Sequence, residues 1–251
     1  MTPATTIGAL AQQAGGIVAA VRDAAARTGT DFAYLMAQAR VESGLNPTAQ
    51  ARTSSARGLY QFTSATWLET VRKHGAEHGL GWAADAIASG SARVGSAARD
   101  TILGLRDNAE AAALMAGEFA HDNGARLEKR LGRAVGATDL YMAHFLGAGG
   151  AVTFLGALAA APATAAAAIL PAAAAANRSV FYHRDGSART VAEVYDRFSA
   201  KLGATQTPLS ARQTPLPARQ GPSPTSPAGG EVDVNASRAR LAYMLLAELG
   251  G

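Results

Sequence analysis

The stretch from Asp31 to Phe62 constrains the fold more than any other, because it predicts a helix that ends abruptly at an acidic residue. Asp31 or the residue before it can cap the helix N-terminus. Apolar residues then recur at spacings of three and four, which predicts one buried face, at Phe32, Leu35, Met36 and Ala39. The next position on that face is Glu42, and Gly44 and Pro47 then end the helix. The sequence therefore predicts a carboxyl group on the inward face, where the chain leaves the helix.

Glu42 is a candidate proton donor for this reason. Burial against apolar side chains disfavours an ionised carboxylate, and a carboxyl group that keeps its proton can donate it to a leaving group. The alternative is an ordinary helix-end residue that is exposed or paired with Arg40 or Arg52, since most glutamates lie at the surface.

The residues that follow Glu42 favour the catalytic interpretation. Glu42-Ser43 is followed by Asn46-Pro47, a serine-rich loop, and Gly-Leu-Tyr-Gln at residues 58–61. This order resembles the soluble lytic transglycosylases, which share the goose-type lysozyme fold. In that family a helix ends in a catalytic Glu-Ser, and Asn-Pro and a loop lead into Gly-Leu-(Met or Tyr)-Gln. The resemblance implies an all-α, lysozyme-like fold with Glu42 as the catalytic residue.

The resemblance covers roughly residues 18–200, and it departs from the family pattern at one motif. Where the family has a tyrosine and an asparagine beside the acid, this chain has His144 and Phe145. His144 either hydrogen-bonds Glu42 in place of the phenol or is an ordinary buried histidine. Tyr195 fits a final family tyrosine, with Tyr182 as its competitor and core packing as the alternative for both.

The resemblance also implies residues that contact the sugar. Arg52 stands near the place of a family serine, so Ser54 or Ser55 is expected to supply that hydroxyl, with Thr53 as a further candidate. Gln61 is expected to point into the cleft because a buried amide needs partners, and Tyr60 offers a flat face to a pyranose ring. The predicted substrate-binding residues are Ser43, Ser54, Ser55, Tyr60, Gln61, His144 and Tyr195.

Composition and periodicity divide the 251 residues into four segments. Abundant alanine and few aromatic residues favour helices. We predict a flexible N-terminus at residues 1–16, a catalytic domain at 17–202, a disordered linker at 203–232 and an amphipathic helix at 233–251. The linker is rich in Pro, Ser and Thr and repeats a heptad, QTPLSAR then QTPLPAR. The last helix has a leucine stripe, so it either docks on its own domain or binds another protein.

Two helix boundaries inside the domain follow from local signals. The first helix is predicted at Ile17 to Arg27. Asp107 and Glu110 have the spacing of a capping box, which predicts a helix from Asn108 to Asp122 that Asn123-Gly124 closes.

Charge and targeting signals limit the possible partners and locations. The net charge of +4 suits an anionic partner such as cell-wall polymer or nucleic acid, but no basic run interleaved with aromatics supports a nucleic-acid groove. We therefore expect peptidoglycan strands as the partner, and no nucleic acid and no membrane span. The N-terminus does not have the pattern of a signal peptide. A periplasmic or cell-envelope location is expected from the substrate, with the export route left open.

We predict no metal and no cofactor. His74-Gly-Ala-Glu77-His78 has the His-x-x-Glu-His spacing of some zinc proteases, but Gly75 and Gly79 break a helix there and no third ligand lies nearby in the sequence. The chain has no cysteine, which excludes thiolate sites.

Glu42 has no acidic neighbour between Ser43 and Leu68, and a single acid suffices where the substrate supplies its own nucleophile. In the family that the chain resembles, the glutamate protonates the oxygen between N-acetylmuramic acid and N-acetylglucosamine. It then acts as a base on the C6 hydroxyl, which closes a 1,6-anhydro ring. The alternatives are a muramidase that uses water, a non-catalytic wall-binding component of a flagellar, secretion or phage assembly, and, on charge alone, a nucleic-acid binder.

Overall fold

The computed structural model describes residues 3–52 and 54–203, with side chains described from residue 12 onward. This part of the chain is helical and contains isolated antiparallel bridges but no strand, which confirms the predicted all-α class. The α-helices are α1 Pro3–Thr28, α2 Phe32–Ser43, α3 Ser64–His74, α4 Gly81–Ala88, α5 Ala97–Gly104, α6 Ala109–Leu131, α7 Ala137–Ala160, α8 Ala166–Ile169, α9 Pro171–Ala176, α10 Arg178–Phe181 and α11 Val191–Gly203. Short 3-10 helices occupy Gly75–His78 and Leu105–Asp107.

Helix α2 is the core helix of this domain. The Asp31 side chain caps it by accepting a hydrogen bond from the backbone N–H of Tyr34 at 2.7 Å. Gly44 ends it in the left-handed conformation, with φ 60°. Helices α1, α6 and α11 pack around α2. Its buried residues therefore cover most of its circumference rather than one stripe, and they are Tyr34, Leu35, Met36, Ala37, Gln38, Ala39, Val41 and Glu42.

Helix α7 packs between α6 and α11 and is broken at Gly147, where φ is 72° and ψ is 159°. Its length and composition would allow it to cross a membrane, and half of its apolar stretch is buried inside the protein. A buried core helix can have the same length and apolar composition as a membrane-spanning helix. The first half of α7 supplies core residues, among them Tyr141, Met142 and Phe145.

The loop between α2 and α3 is held by two arginines. Arg57 forms an antiparallel bridge with Phe62 and donates two hydrogen bonds to the carboxylate of Asp107. Arg106 is buried and donates to the carbonyl oxygens of Ser55 at 2.6 Å and Phe62 at 3.1 Å. The Leu105–Asp107 turn therefore clamps the loop that follows Glu42.

Two predicted boundaries are wrong. The first helix, predicted from Ile17, begins at Pro3 as α1, because Gly15 and Gly16 lower helix propensity by only about 1 kcal/mol each and do not break it. Helix α6 continues through Asn123 and Gly124 to Leu131. Tertiary packing explains this: Asn123 is buried, and a Cβ at Gly124 would lie 3.4 Å from Leu140 of α7.

The predicted linker at 203–232 and the helix at 233–251 lie, from residue 204 onward, outside the described residues. These segments, and the division into four, stay predictions.

Candidate active site

Glu42 lies in the last turn of α2, and its side chain is 1% exposed. Tyr34, Gln38 and Glu42 are spaced four residues apart and form a polar stripe along this buried helix. A buried carboxyl group needs hydrogen-bond partners, and these come from another helix.

Tyr141 and His144, one turn apart on α7, both contact the same oxygen of Glu42. The Tyr141 hydroxyl donates to Oε1 at 3.0 Å, and His144 Nε2 lies 3.2 Å from Oε1. The two rings stack, with centroids 5.8 Å apart and an interplanar angle of 30°. Phe119 of α6 packs edge-on against His144. Packing therefore fixes both donors before any substrate binds.

The surroundings of His144 favour a neutral ring. Its Nδ1 is buried and has no hydrogen-bond partner among the described residues. An imidazolium would bury an unpaired N–H there, at a cost of about 1–3 kcal/mol. A neutral ring with its proton on Nε2 donates to Glu42 instead. Because Tyr141 donates to Oε1, Oε2 is the oxygen that remains for proton transfer to a substrate.

Burial also keeps the neighbouring phenols protonated. It raises the pKa of Tyr141 far above the ordinary value, and the nearby charge of Glu42 adds to this effect. The pKa of Tyr34 is raised in the same way, by burial first and then by Glu42. Lys201 of α11 is close enough to Glu42 for their charges to interact. Burial lowers the pKa of Lys201, and the charge of Glu42 opposes that effect.

Ser43 ties the end of α2 to the next motif. Its hydroxyl donates to the carbonyl oxygens of Ala39 at 3.1 Å and Leu59 at 2.9 Å. Gly58 begins that motif with φ 85°, and a Cβ there would lie 1.9 Å from the carbonyl oxygen of Arg106. Glycine is therefore required at position 58. The hydrogen bond from Ser43 to Leu59 holds the start of the 58–61 motif against the end of α2.

The expected orientations of Tyr60 and Gln61 are wrong in this structure. The Tyr60 ring is 1% exposed, so it presents no face to a sugar. Gln61 is also buried, at a positive φ of 48°, and its amide donates to the carbonyl oxygens of Ala49 and Gly58. Both residues pack inward because the short loop fits closely against the core, and Gln61 satisfies its amide with backbone rather than with ligand.

Ser54 and Ser55 lie at the surface end of the loop. The Ser54 hydroxyl accepts from the backbone N–H of Ala56 at 3.3 Å, and that of Ser55 accepts from Ser64 at 3.2 Å. Their predicted contact with substrate stays a prediction.

The structure separates Tyr195 from the position expected for it. Its hydroxyl donates to Asp139 Oδ1 at 3.0 Å, and Arg133 donates to the other oxygen of Asp139. Tyr182 is covered instead by the Arg178 guanidinium, 4.7 Å from the ring centre. The phenol that bonds Glu42 is Tyr141, which sequence analysis missed. Its position three residues before His144, and so on the same helix face, was the available signal.

His74 has a carboxylate neighbour on another helix. Helix α6 brings Glu118 to this histidine, with its Oε2 3.4 Å from His74 Nδ1. A third ligand is therefore present in space, although it is distant in the sequence.

Residues 19–86 match the family model described as the transglycosylase SLT domain. The matched segment contains α2 and α3 and both motifs around Glu42. Tyr141 and His144 lie outside it, so their place beside Glu42 rests on the structure alone.

Proposed function

We propose that Glu42 carries out in this chain the reaction of the family to which it belongs. Residues 19–86 belong to the transglycosylase SLT family of peptidoglycan-cleaving domains, which have a lysozyme-like fold. The reaction cleaves the MurNAc-β-1,4-GlcNAc bond and leaves a 1,6-anhydro-MurNAc end, as a carbon–oxygen lyase does. The observation that carries the proposal is the buried Glu42 carboxyl, at the end of α2, with a phenol and an imidazole on one oxygen.

Glu42 acts first as a general acid. Its Oε2 proton passes to the glycosidic oxygen, the bond from that oxygen to C1 breaks, and the sugar's 2-acetamido group stabilises C1. The carboxylate that forms is stabilised on Oε1 by Tyr141 and His144, because hydrogen bonds to a charged acceptor are stronger than those to a neutral one.

Glu42 then acts as a base. It removes the proton of the C6 hydroxyl, whose oxygen attacks C1 and closes the anhydro ring. The proton returns to Glu42, no water is consumed, and the two α7 donors keep their places through both steps. No cofactor or metal is needed for this sequence.

A muramidase would use water in place of the C6 hydroxyl. Inverting and retaining hydrolases of the usual kind pair two carboxylates across the bond. No acidic residue stands between Ser43 and Leu68, which favours a substrate that supplies its own nucleophile. A cell-envelope location follows from this substrate and is part of the proposal.

The test is the digestion of purified sacculi by the full-length protein, with mass spectrometry of the released muropeptides. We expect anhydro ends from the wild type and loss of lysis by about 10²–10⁴-fold in Glu42→Gln, which keeps the shape and removes the acidic proton. Glu128→Gln, an exposed exchange on α6, is the matched control. Reducing ends would show a hydrolase instead, and a Glu42→Gln variant with more than about a tenth of wild-type activity would contradict the role of Glu42.

A further inference from the structure

A second group of titratable side chains lies where the end of α3 and the Gly75–His78 turn meet α6. It shares no residue with the Glu42 site. Helix α3 and the turn contribute His74, Glu77 and His78, and α6 contributes Glu118 and Asp122. Glu118 is 6% exposed, and Glu77 lies at the surface.

We propose that His74, Glu77 and Glu118 bind a divalent transition-metal ion, for which zinc is the best match. One ligand atom from each of the three side chains lies within 4.8 Å of the others. Imidazole with two carboxylates suits Zn²⁺, whereas Ca²⁺ and Mg²⁺ take oxygen ligands.

The contacts of His74 carry the proposal furthest. His74 Nε2 lies 2.9 Å from Asp122 Oδ2, so a neutral ring donates this N–H to the carboxylate and leaves a lone pair on Nδ1. Nδ1 faces Glu118 Oε2 at 3.4 Å. The imidazolium carries a proton on Nδ1 and the neutral ring a lone pair, so a metal ion that displaces this proton would lie between His74 and Glu118. Ligands of a tetrahedral zinc ion with bonds of about 2.0–2.1 Å are separated by about 3.3 Å, which matches this gap.

His78 supports the site rather than binding the ion. Its Nδ1 lies 3.1 Å from Arg27 Nη2, and because arginine only donates, Nδ1 accepts. Nε2 therefore carries the proton and donates to Glu118 Oε1 at 2.7 Å. Asp122 holds His74 in the same way and is itself bonded by Lys73 at 2.6 Å. A carboxylate behind a ligating histidine and a donor behind a ligating carboxylate are the usual second shell of a metal site.

The ion would join α3 and the turn after it to α6. Helix propensity is broken in the turn by Gly75 and Gly79, so the two histidines do not lie on one helix as the His-x-x-Glu-His motif requires. The exposed side chain of Glu77 leaves the outer side open to water, which would complete the coordination.

The experiment titrates Zn²⁺ into metal-free, full-length protein against a chromophoric chelator. We expect one equivalent to bind, with Ca²⁺ unable to displace it. Nitrogen-15 spectra of the histidines should show a shift of His74 Nδ1 on binding, while His78 keeps its Nε2 proton. Neither readout uses activity, so Glu42→Gln should bind zinc as the wild type does.

Glu77→Gln is the decisive variant, because an exposed side chain can be changed without affecting the fold. Its zinc affinity should fall at least about tenfold, with the melting temperature of the metal-free protein unchanged. His121→Gln, an exposed histidine on the same helix as Glu118, should bind as the wild type does. The proposal is overturned if one equivalent does not bind, if Glu77→Gln and His74→Gln bind as tightly as the wild type, or if Ca²⁺ competes equally. In those cases a proton on His74 fills the gap.

Discussion

Glu42 and Glu118 are both buried glutamates in contact with histidine, yet their surroundings give them different chemistry. Glu42 Oε1 accepts a hydrogen bond from the Tyr141 phenol and lies 3.2 Å from the His144 imidazole, and both residues belong to α7. Glu118 is contacted by two histidines, and Asp122 and Glu77 lie beside the same group. Neutral donors around one carboxyl group suit an acid that must gain and lose a proton. At the Glu118 group an imidazole nitrogen and a carboxylate oxygen face each other, an arrangement that a metal ion can join.

The largest expected effects come from replacing Glu42 and Glu118 by glutamine in two separate variants. Glu42→Gln should reduce sacculus lysis by about 10²–10⁴-fold and leave zinc binding unchanged. Glu118→Gln should weaken zinc binding and leave sacculus lysis unchanged, because it removes a metal ligand and leaves Glu42 and its neighbours on α7 in place. Turbidity clearing and zinc titration on the same preparations measure the two effects. If either variant loses both activities, the two regions do not act separately.

Tyr141→Phe should have the next largest effect. It removes one donor from the Glu42 carboxylate, and a hydrogen bond to a charged group contributes about 1.5–3 kcal/mol, so the lysis rate should fall by roughly 10- to 100-fold. Tyr195→Phe is the matched comparison, since it removes a hydrogen bond to Asp139 rather than to Glu42. It should lower the melting temperature and leave the rate close to that of the wild type. Equal rates in the two variants would remove Tyr141 from the mechanism.

His144→Phe should have a smaller effect. A phenylalanine ring keeps the packing against Phe119 and Tyr141 but loses the Nε2 contact with Glu42. At 3.2 Å this contact is longer than the 3.0 Å Tyr141 hydrogen bond, so the rate should fall severalfold and by less than in Tyr141→Phe. His144→Tyr restores a donor and should recover part of the rate. Steady-state rates on sacculi, with melting temperatures as a check on folding, measure this. A tyrosine variant no better than the phenylalanine variant would show that the histidine acts only by packing.

Removing residues 204–251 should have the smallest effect. The Pro-, Ser- and Thr-rich composition that follows residue 203 is that of a linker that crosses no core, so lysis of purified sacculi and zinc affinity should both stay within about twofold of the full chain. Both assays, with thermal melting, test this. A truncated protein that is insoluble or melts far below the full chain would show that the C-terminal segment belongs to the domain core.

Local signals predicted well where a helix end coincides with a chain reversal. Glu42 at the end of α2 was found because capping, apolar spacing and turn residues act within a few positions. The glycine at position 58 came from the resemblance to the family motif. The same signals failed at Asn123-Gly124, where packing against α7 carries the helix through. They also failed at Tyr60 and Gln61, since spacing does not tell whether a loop side chain faces the core or a ligand.

The sequence by itself determined the all-α class and the position of Glu42 at the end of its helix, because each depends on backbone preferences and near neighbours. Only the tertiary structure decided that Tyr141, rather than Tyr195, joins His144 on Glu42, and that Glu118 faces His74. Helical spacing shows which residues share a face. The helix faces that contact each other depend on how α6 and α7 pack against the rest of the chain. That packing is driven by the burial of apolar side chains that are far apart in the sequence.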